Sequence, residues 1–504
     1  MIKENRQLEK DIVVENSNKK AAKQLIIMIV LTILTQVVTI LKTSTVASQF
    51  GATIQMDAFN FSTSIGTFIF SFIGAGVTTV LIPNLVKKDK KDSINIFIST
   101  LYTIAFLVLL IVYFFRRSII GVLSSQNDEF ILIASNIMLV TLLTQFITSF
   151  SGATNAIFQC KGKFNFPKLI TLFTTIILIG LIVFMPNLTI YKYAAYIFVT
   201  SVLNIIIQIY LVKKNGYKFN YRIDFSDKEF KNMFRTFLPT VLSTGLYQFS
   251  LVTDTVISSN LGEGSTSILG YSNSLMTMVN SVILTNLMTY FYPKIAKSIG
   301  REDSQERVFD LMILLNGIMC LFLVGFIVVG KSGIILLYER GKFTPTITEM
   351  VYIGTLIYMI GIPVNAMRDL VYRYFYANGD TLTPFKNSIV ISISNIIISI
   401  ILSKIFGIYG IIIGTVITSF ISFIMILFRF NKKFGFKCNK RKLIIENIKI
   451  VLVSITVIVT IKFLITMLPS MTLIIEILLV GIITTLLYTT MLVVFRSKIY
   501  KIKL

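Results

Sequence analysis

Two charged residues beside the first glycine turn of this chain are placed to hold an anionic group. Lys42 precedes Gly51 by nine residues, roughly 13 Å along a helix, and Asp57 follows it by six, roughly 9 Å. Charges in apolar segments are costly and normally face a cavity or a partner. Lys42 is therefore a candidate to bind an anionic substrate that Asp57 positions. A structural ion pair between Lys42 and Asp57 is the alternative.

A second candidate site is centred on Asp254, which lies eight residues before Gly262 and so almost opposite Lys42, nine residues before Gly51, in the repeat. Oxygen ligands suit hard cations. Asp254 with Asn395, Thr415 or Thr418 would form a cation-binding site for coupling to Na⁺ or H⁺. A buried aspartate bonded to serine or threonine is the alternative.

Other polar residues inside apolar segments are further substrate-binding candidates. Asp369 and Arg373 are i, i+4 neighbours and are expected to neutralise each other, which leaves Arg368 as the freer charge. Gln36 and Asn273 are neutral candidates for the same cavity. Interhelical hydrogen bonding is the alternative role for such amides.

Several classes of chemistry are excluded. The sequence has no His and three Cys, which excludes a Ser-His-Asp triad, a His-based metal site and a disulfide framework. It also lacks a glycine-rich phosphate loop ending in Lys-Ser or Lys-Thr. We expect a transporter, not an enzyme, with no cofactor beyond a coupling Na⁺ or H⁺.

The elements that must position these residues are transmembrane helices. Of the 504 residues, 54% are hydrophobic and 14% are charged, which predicts an all-α integral membrane protein. Apolar stretches of about 20 residues, enough to span a bilayer, recur along the chain. They predict fourteen spans, near residues 25–49, 53–85, 94–114, 129–159, 166–185, 191–212, 237–260, 267–293, 309–336, 347–377, 384–404, 407–428, 446–467 and 472–495.

Turn residues recur at a fixed distance and reveal an internal repeat. Glycine and proline pairs return 210 to 217 residues later: Gly51 and Pro83 as Gly262 and Pro293, and Gly162 and Pro167 as Gly379 and Pro384. Six spans per repeat predict two six-helix lobes in the same orientation, related by a pseudo-twofold axis along the membrane normal. Two C-terminal helices remain.

These boundaries divide the chain into five parts: an N-terminal tail (1–24), an N-lobe (25–213), a linker (214–236), a C-lobe (237–430) and a C-terminal pair of spans with a basic tail (431–504). In the linker, Ser226 to Glu229 has the pattern of a capping box. Phe230, Met233, Phe234 and Phe237 then predict an amphipathic helix on the membrane surface. A hinge between moving lobes and an ordinary interfacial linker are both open.

The formal net charge of +24 is unevenly placed. Alternate loops and both tails hold most of the Lys and Arg, as the positive-inside rule describes for cytoplasmic segments. We therefore expect both termini in the cytoplasm, contact with membrane lipids and no nucleic-acid partner. A bacterial inner membrane is the simplest location.

Three motifs carry a family resemblance. The segments 50–59 and 80–87, the loop Leu337-Tyr-Glu-Arg-Gly-Lys-Phe-Thr344, and the turn 374–384, which ends Asp380-Thr-Leu-Thr-Pro384, resemble the MurJ/MviN family. The resemblance covers essentially the whole chain. It implies a fourteen-helix lipid II flippase of the MOP superfamily, whose partner is an undecaprenyl-diphosphate-linked glycan. Wall-synthesis machinery is a candidate partner, and we expect a monomer.

The resemblance also assigns roles to residues. Lys42 falls on a family arginine, Asp57 on the family's acidic residue and Asp254 on a position used for sodium in some members. The second family acid on span 11 is replaced by neutral residues. Gln36 and Phe70, like Ser274, stand where better-known members carry arginine.

These departures leave rival functions open. A flippase for another lipid-linked oligosaccharide, of capsule, O-antigen or teichoic type, is favoured by the lost arginines and opposed by the two later motifs. A MATE-like cation-coupled drug exporter would be expected to have stronger acidic sites. A membrane glycosyl- or acyltransferase is opposed by the absence of His and of clustered carboxylates.

Overall fold

The chain folds into a bundle of helices joined by short turns. The computed structural model describes residues 27, 29–86, 91–163, 165–185, 187–437, 439–467, 469 and 471–501. The helices in these ranges are α1 (Ile29–Phe50), α2 (Ile54–Val86), α3 (Lys91–Leu123), α4 (Asp128–Ser149), α5 (Ser151–Cys160), α6 (Phe166–Phe184), α7 (Ile190–Lys214), α8 (Lys228–Ser259), α9 (Ser265–Val279), α10 (Thr285–Ser298), α11 (Ser304–Tyr338), α12 (Pro345–Ala377), α13 (Leu382–Phe406), α14 (Ile408–Phe434), α15 (Lys440–Met467) and α16 (Leu473–Val494). A π-helical turn, Asn280–Leu284, joins α9 to α10.

The structure confirms a helical multi-pass membrane protein. Within the described ranges, eleven helical segments are long and apolar enough to cross a membrane: α1, α3, α4 with α5, α6, α7 and α11 to α16. Helices α2, α8 and α9 with α10 lie at the other three predicted spans. The count of fourteen spans stays a prediction.

We call helices α1–α7 the N-terminal group and helices α8–α14 the C-terminal group. Within the first, α2 packs on α4 and α5, and α7 packs on α4 and α6. Within the second, α12 packs on α11 and α14, and α13 packs on α14. Helix α2 also packs on α8 and α9, and α3 packs on α8, so these helices join the two groups.

Helices α15 and α16 are fixed to α11 along its length. The joining hydrogen bonds are Asn316 Nδ2 to Asn447 Oδ1 at 2.6 Å, Tyr488 Oη to Gly317 O at 2.9 Å, and Ser332 Oγ to Glu476 Oε1 at 3.0 Å. Polar bonds between helices in an apolar setting are hard to replace by water. We infer that this pair is attached to the C-terminal group through α11.

The linker helix differs from its prediction. It begins at Lys228, with Asp227 Oδ1 accepting from Phe230 N at 2.6 Å, and continues unbroken as α8. Phe230, Met233 and Phe237 are buried in a cluster with residues of α2 and α3. The interpretation of a helix whose apolar face lies on the membrane was therefore wrong for these three residues, because α2 and α3 offer a protein surface that covers that face.

The glycines of the repeat are explained by their backbone conformation. Gly51, Gly162, Gly262 and Gly379 have φ values of 59°, 67°, 112° and 76°. Residues other than glycine rarely adopt positive φ values of this kind. The repeated glycines therefore mark equivalent turns.

The turn after α12 is built around Asp380. Its carboxylate accepts from Thr383 N at 2.9 Å, Thr383 Oγ1 at 2.7 Å and Lys433 Nζ at 2.5 Å. Partial burial acts to raise the pKa of Asp380, but the bonds and charge from Lys433 and the bonds from Thr383 outweigh it and lower the pKa to about 2. This turn explains the Asp-Thr-Leu-Thr-Pro motif as the start of α13.

We expect Asp380→Ala to destabilise the protein by about 1 kcal/mol, because the N-terminus of α13 loses its acceptor. Asp380→Asn keeps an acceptor for Thr383 and should cost less. Thermal unfolding in detergent measures both. Since the pKa of the folded state is depressed, the stabilisation is present above the ordinary aspartate pKa and is lost only as the pH falls toward 2. Equal unfolding midpoints for wild type and both variants would contradict this role.

Candidate substrate and coupling sites

Asp57 joins the two helix groups at the end of the bundle where α2 begins. The side chain is fully buried. Its Oδ2 accepts from Gly264 N at 2.6 Å, and its Oδ1 accepts from Ser267 N at 2.7 Å and Ser267 Oγ at 2.6 Å. These donors lie in the first turn of α9 and just before it. A carboxylate at a helix N-terminus is stabilised by the free N–H groups and by the helix dipole.

The contact is reciprocal. Ile54 N, at the first residue of α2, donates to Glu263 Oε1 at 3.0 Å. Each of the two helices therefore has its N-terminus capped by a carboxylate from the other group. We call this arrangement the cross-cap; it consists of Ile54, Asp57, Glu263, Gly264 and Ser267.

The cross-cap follows the internal repeat. Asp57 and Ser267 are 210 residues apart, which is the offset between Pro83 and Pro293. Asn60 and Gly270 have the same offset, and a Cβ added to Gly270 would lie 3.2 Å from Asn60 Nδ2. Contacts between equivalent residues are typical of a twofold axis. Helices α2 and α9 therefore cross where the pseudo-twofold axis of the repeat is expected.

Further hydrogen bonds join the groups at this end. Tyr271 Oη donates to Gly51 O at 2.8 Å, and Lys342 N donates to Ser48 O at 2.8 Å. A Cβ on Gly341, where φ is 61°, would lie 2.2 Å from Ser48 O. The Glu-Arg-Gly loop thus packs directly on the end of α1, and the bundle is closed here.

Lys42 lies in a cavity inside the N-terminal group. The cavity has a volume of about 220 Å³, and its lining residues are Lys42, Phe59, Thr63, Thr141, Thr144, Gln145, Tyr193, Ala194 and Ile197. Within the part of the chain that the structure describes, the ammonium of Lys42 has no hydrogen bond or ion pair. The buried hydroxyl of Thr63 also has no partner there. This cavity can offer a positive charge and a hydroxyl to an anionic group.

The structure does not pair Lys42 with Asp57. Both carboxylate oxygens of Asp57 are engaged with Gly264 and Ser267. The two residues lie on neighbouring helices, as expected, but the carboxylate of Asp57 is bonded at the start of α9 and the ammonium of Lys42 lies in the cavity. Helix α9 supplies the partner because its unpaired N–H groups attract the carboxylate more directly than a lysine in the adjacent cavity.

The other predicted substrate residues are dispersed. Gln36 is half-buried on α1, and Asn273 is exposed on α9. Arg368 Nη2 lies 2.9 Å from Asp369 Oδ1, and its guanidinium stacks on Tyr372. The expectation that Arg368 is the freer charge was therefore wrong: its guanidinium fork reaches the adjacent carboxylate. Gln36, Asn273 and Arg368 are not among the residues that line the Lys42 cavity.

Asp254 comes together with most of its predicted neighbours. It is buried on α8, beside the hydroxyls of Ser399 and Thr415, and its Oδ1 has no hydrogen-bond partner among the described residues. Each hydroxyl also lies near a second acceptor, Ser399 Oγ 2.9 Å from Asn395 Oδ1 and Thr415 Oγ1 3.2 Å from Ile411 O. The groups around Asp254 are therefore hydroxyl and amide side chains, whose neutral oxygens are ligands that a monovalent cation accepts.

Two parts of this arrangement differ from the prediction. Thr418 donates to Thr415 O at 2.9 Å, one turn away, and Ser399 takes a place beside Asp254 that the sequence reasoning missed. Among the described residues no group of three or more His, Cys, Asp or Glu could hold a metal ion. The Asp254 site thus has one acid and neutral oxygens.

The residues Glu263, Gly264 and Ser267 of the cross-cap were also missed. The repeat offset contained the signal for Ser267, since adding 210 to Asp57 gives its position. An exposed glutamate such as Glu263 gives no such signal by itself.

Comparison with known proteins identifies the family of the chain. The model of the family described as lipid II flippase MurJ matches residues 46–482. The chain belongs to this family. The probable lipid II flippase MurJ of Rickettsia prowazekii is 24% identical over 410 residues, 78% of this chain and 80% of that protein. The Helicobacter pylori family member is 26% identical over 227 residues, and that match spans only 48% of its length.

Two solved structures share the fold of this chain. A lipid II flippase MurJ in an inward closed conformation superposes with a TM-score of 0.79 at 21% identity, covering 93% of this chain and 98% of that one. An inward-facing multidrug resistance MATE transporter of the MOP superfamily gives 0.62 at 14% identity, covering 79% and 98%. These likenesses show the fold alone.

We predict that Asp57→Ala opens the cross-cap end more often, because three hydrogen bonds to a carboxylate are lost at about 1.5 kcal/mol or more each. A cysteine at Ala58, which is fully buried, then reports opening through labelling by a water-soluble maleimide. With the native cysteines replaced by serine, labelling should be at least about tenfold faster in Asp57→Ala.

A cysteine at the equally buried Ala134 of α4 is the matched control and should not respond. Unchanged labelling at position 58, or equal acceleration at both positions, would contradict the role of the cross-cap.

Proposed function

We propose that the chain is a flippase that moves lipid II, the undecaprenyl-linked peptidoglycan precursor, from the inner to the outer leaflet of a bacterial cytoplasmic membrane. The observation that carries this proposal is the match of the lipid II flippase MurJ family over residues 46–482. The likeness in fold to the MurJ structure over 93% of the chain supports it. No step of the proposal requires bond chemistry, which agrees with a transporter.

The proposed mechanism is alternating access between two lobes, residues 25–213 and 237–430. The cross-cap and the loop around Gly341 hold the lobes together at one end. We propose that this end faces the outside, and that separation of α2 from α9 opens it. Both termini then lie in the cytoplasm, and the protein acts as a monomer.

Lys42 is proposed to attract the diphosphate. Its ammonium lies in an N-lobe cavity of about 220 Å³, smaller than the roughly 300 Å³ at which drug-sized pockets begin. In the closed arrangement that cavity has room for a phosphate-sized group and not for a glycopeptide. The rest of the headgroup would therefore enter only as the lobes separate. Arg368, Gln36 and Asn273 remain proposals as residues that line the wider path.

Asp57 is proposed to hold the cross-cap end closed and not to bind lipid II. Its two oxygens already accept three hydrogen bonds from α9 and the residue before it, so most of their acceptor capacity is occupied. The carboxylate would be released only when the lobes part.

The driving force is proposed to combine membrane potential with a bound cation. An inside-negative potential favours outward movement of negative charge by about 2.3 kcal/mol per charge per 100 mV. Asp254, Asn395, Ser399 and Thr415 would hold Na⁺ or H⁺, supplying a charge that links α8 to α13 and α14. Thr418, which bonds Thr415 O, would support this site from one turn away.

A flippase for another lipid-linked oligosaccharide is the second candidate. Neutral residues at Gln36 and Phe70 favour it, because they give fewer fixed positive charges for a diphosphate glycan. Likeness to multidrug transporters rests on fold at 14% identity, so drug export is less favoured. Cell-wall synthesis enzymes are the partner class that a lipid II flippase would serve.

Depletion of the protein tests the function directly. We expect lipid II to accumulate in the inner leaflet, measured as loss of its accessibility to an external probe in intact cells. Normal exposure of lipid II after depletion, with loss of another surface glycan, would instead support the second candidate.

Replacing Lys42 tests the role of its charge. We expect Lys42→Ala to reduce lipid II exposure in depleted cells by about tenfold, since one charge contact is worth about 1.4 kcal/mol or more. Lys42→Glu should abolish it and Lys42→Arg should retain it. Full export by both the Ala and Glu variants at equal protein levels would refute the cationic cavity.

Replacing Asp254 tests the cation site. We expect Na⁺, compared with choline, to stabilise the wild type by about 1–3 kcal/mol in thermal unfolding when Na⁺ is well above its dissociation constant. Asp254→Asn should remove that response, whereas Asp369→Asn, on α12, should keep it. The same Na⁺ response in Asp254→Asn would show that the ion binds elsewhere.

A further inference from the structure

The segment between α7 and α8 exposes a row of large apolar side chains. Residues 217–224 have no helical structure, and the apolar side chains fall on alternate positions. Phe219, Tyr221, Ile223 and Phe225 are 50%, 62%, 40% and 64% exposed. A contiguous apolar patch on a protein surface usually marks an interaction site. We call residues 217–225 the aromatic strip.

Hydrogen bonds hold the aromatic strip along α3. Its contacts, in chain order, are Tyr217 Oη to Asn95 Oδ1 at 3.0 Å, Tyr221 Oη with Thr103 Oγ1 at 3.0 Å, and Arg222 N to Ser99 Oγ at 3.1 Å. Asp227 then meets Ser93 Oγ at 3.1 Å. The contacts of the strip therefore span eight residues of α3, from Asn95 to Thr103, or roughly 12 Å, before the chain comes back to Ser93.

Thr103 marks a boundary on α3. The large apolar residues before it are all buried: Ile94, Ile96, Phe97, Ile98, Leu101 and Tyr102. Those that follow include many exposed ones, among them Ile104, Phe106, Leu107, Ile111 and Phe114. An exposed apolar face on a membrane-spanning helix faces lipid. Tyr221 bonds Thr103, the contact of the strip that lies farthest along α3. Its ring is thus next to Ile104, where the lipid-facing surface begins.

The charge around the strip suits an anionic surface. Residues 213–235 contain seven Lys and Arg against three Asp and Glu. Lys218 and Arg222 alternate with the exposed apolar residues, and both are themselves exposed. Tyrosine and phenylalanine rings prefer the membrane interface, and basic residues there are attracted to anionic headgroups by about 1 kcal/mol each.

We propose that the aromatic strip is an interfacial anchor that inserts into the headgroup region of a bilayer containing anionic lipid. Its apolar side chains extend the lipid-facing surface of α3, and Lys218 and Arg222 bind lipid phosphates. The strip, not the helix that follows it, is then the part of the linker that contacts the membrane. It holds the connection between the two helix groups at a fixed depth. This inference does not depend on the cargo.

The absence of Trp from the sequence allows a direct test. Phe225→Trp introduces a single tryptophan at an exposed ring, so the protein should fold as before. The full chain is reconstituted in vesicles with anionic lipid, and quenching by lipids brominated near the top of the acyl chain is compared with quenching by aqueous acrylamide. Phe115→Trp, on the exposed face of α3, is the lipid-facing control.

We expect brominated lipid to quench Phe225→Trp at least half as strongly as Phe115→Trp, and acrylamide to quench it weakly. Strong acrylamide quenching with no effect of brominated lipid would overturn the proposal. So would a signal that disappears on dilution of the protein in lipid, because a second copy would then cover the strip.

A charge variant tests the headgroup contact separately. In the Phe225→Trp background, raising the salt should reduce lipid quenching about twofold in anionic vesicles and little in zwitterionic ones. Lys218→Gln with Arg222→Gln should remove this difference, while Lys342→Gln at the cross-cap end should leave it. Identical salt responses in both vesicle types would refute the role of the basic residues.

Discussion

The closed arrangement of this protein depends on two carboxylates that cap each other's helices. Asp57 satisfies the free N–H groups at the start of α9, and Glu263 does the same at the start of α2. A buried carboxylate is stable only when hydrogen bonds replace the water that it has lost. A partly broken contact at Asp57 is therefore higher in free energy than either the intact contact or a carboxylate fully exposed to water. In the proposed mechanism the contact therefore has two favourable states, closed and open. Packed interfaces with two such states pass from one arrangement to the other and do not deform gradually.

The repeat explains why such a contact exists and where it lies. In the proposed two-lobe arrangement, equivalent helices that meet at the pseudo-twofold axis bring their N-termini together, and like ends of two helix dipoles repel. Acidic side chains at that point offset this repulsion, because each carboxylate binds the N-terminus of the other helix. Because the 210-residue offset relates Asp57 to Ser267, one copy supplies an acid and the other a hydroxyl donor. The two copies have diverged in the same way elsewhere: the first has Lys42, whose ammonium is unpaired among the residues that the structure describes, and the second has a buried acid at Asp254.

Much of the fold followed from the sequence, because hydrophobic length and turn glycines are local signals. The repeat, the turns with positive φ and the helices at all predicted spans needed no tertiary information. The proximity of Asp254 and Thr415 followed from the few polar residues in those spans, whereas their role as a cation site stays a prediction. The partner of Asp57 was not predicted from helix depth alone, because depth does not say which neighbouring helix begins at the same point. The linker helix was misplaced on the membrane because periodicity shows an apolar face but not what covers it. Arg368 was misjudged because i, i+4 spacing was preferred over the adjacent Asp369.

The most direct test of the account measures whether the cross-cap end opens when cargo crosses. Spin labels at Glu129, at the start of α4, and Thr346, at the start of α12, lie on opposite helix groups at that end and on exposed positions. The distance distribution between them is measured in vesicles, with and without lipid II, while translocation of lipid II is followed in the same sample. The account predicts a single short distance without lipid II and an added longer distance when lipid II crosses. Translocation at full rate with one unchanged distance would contradict it.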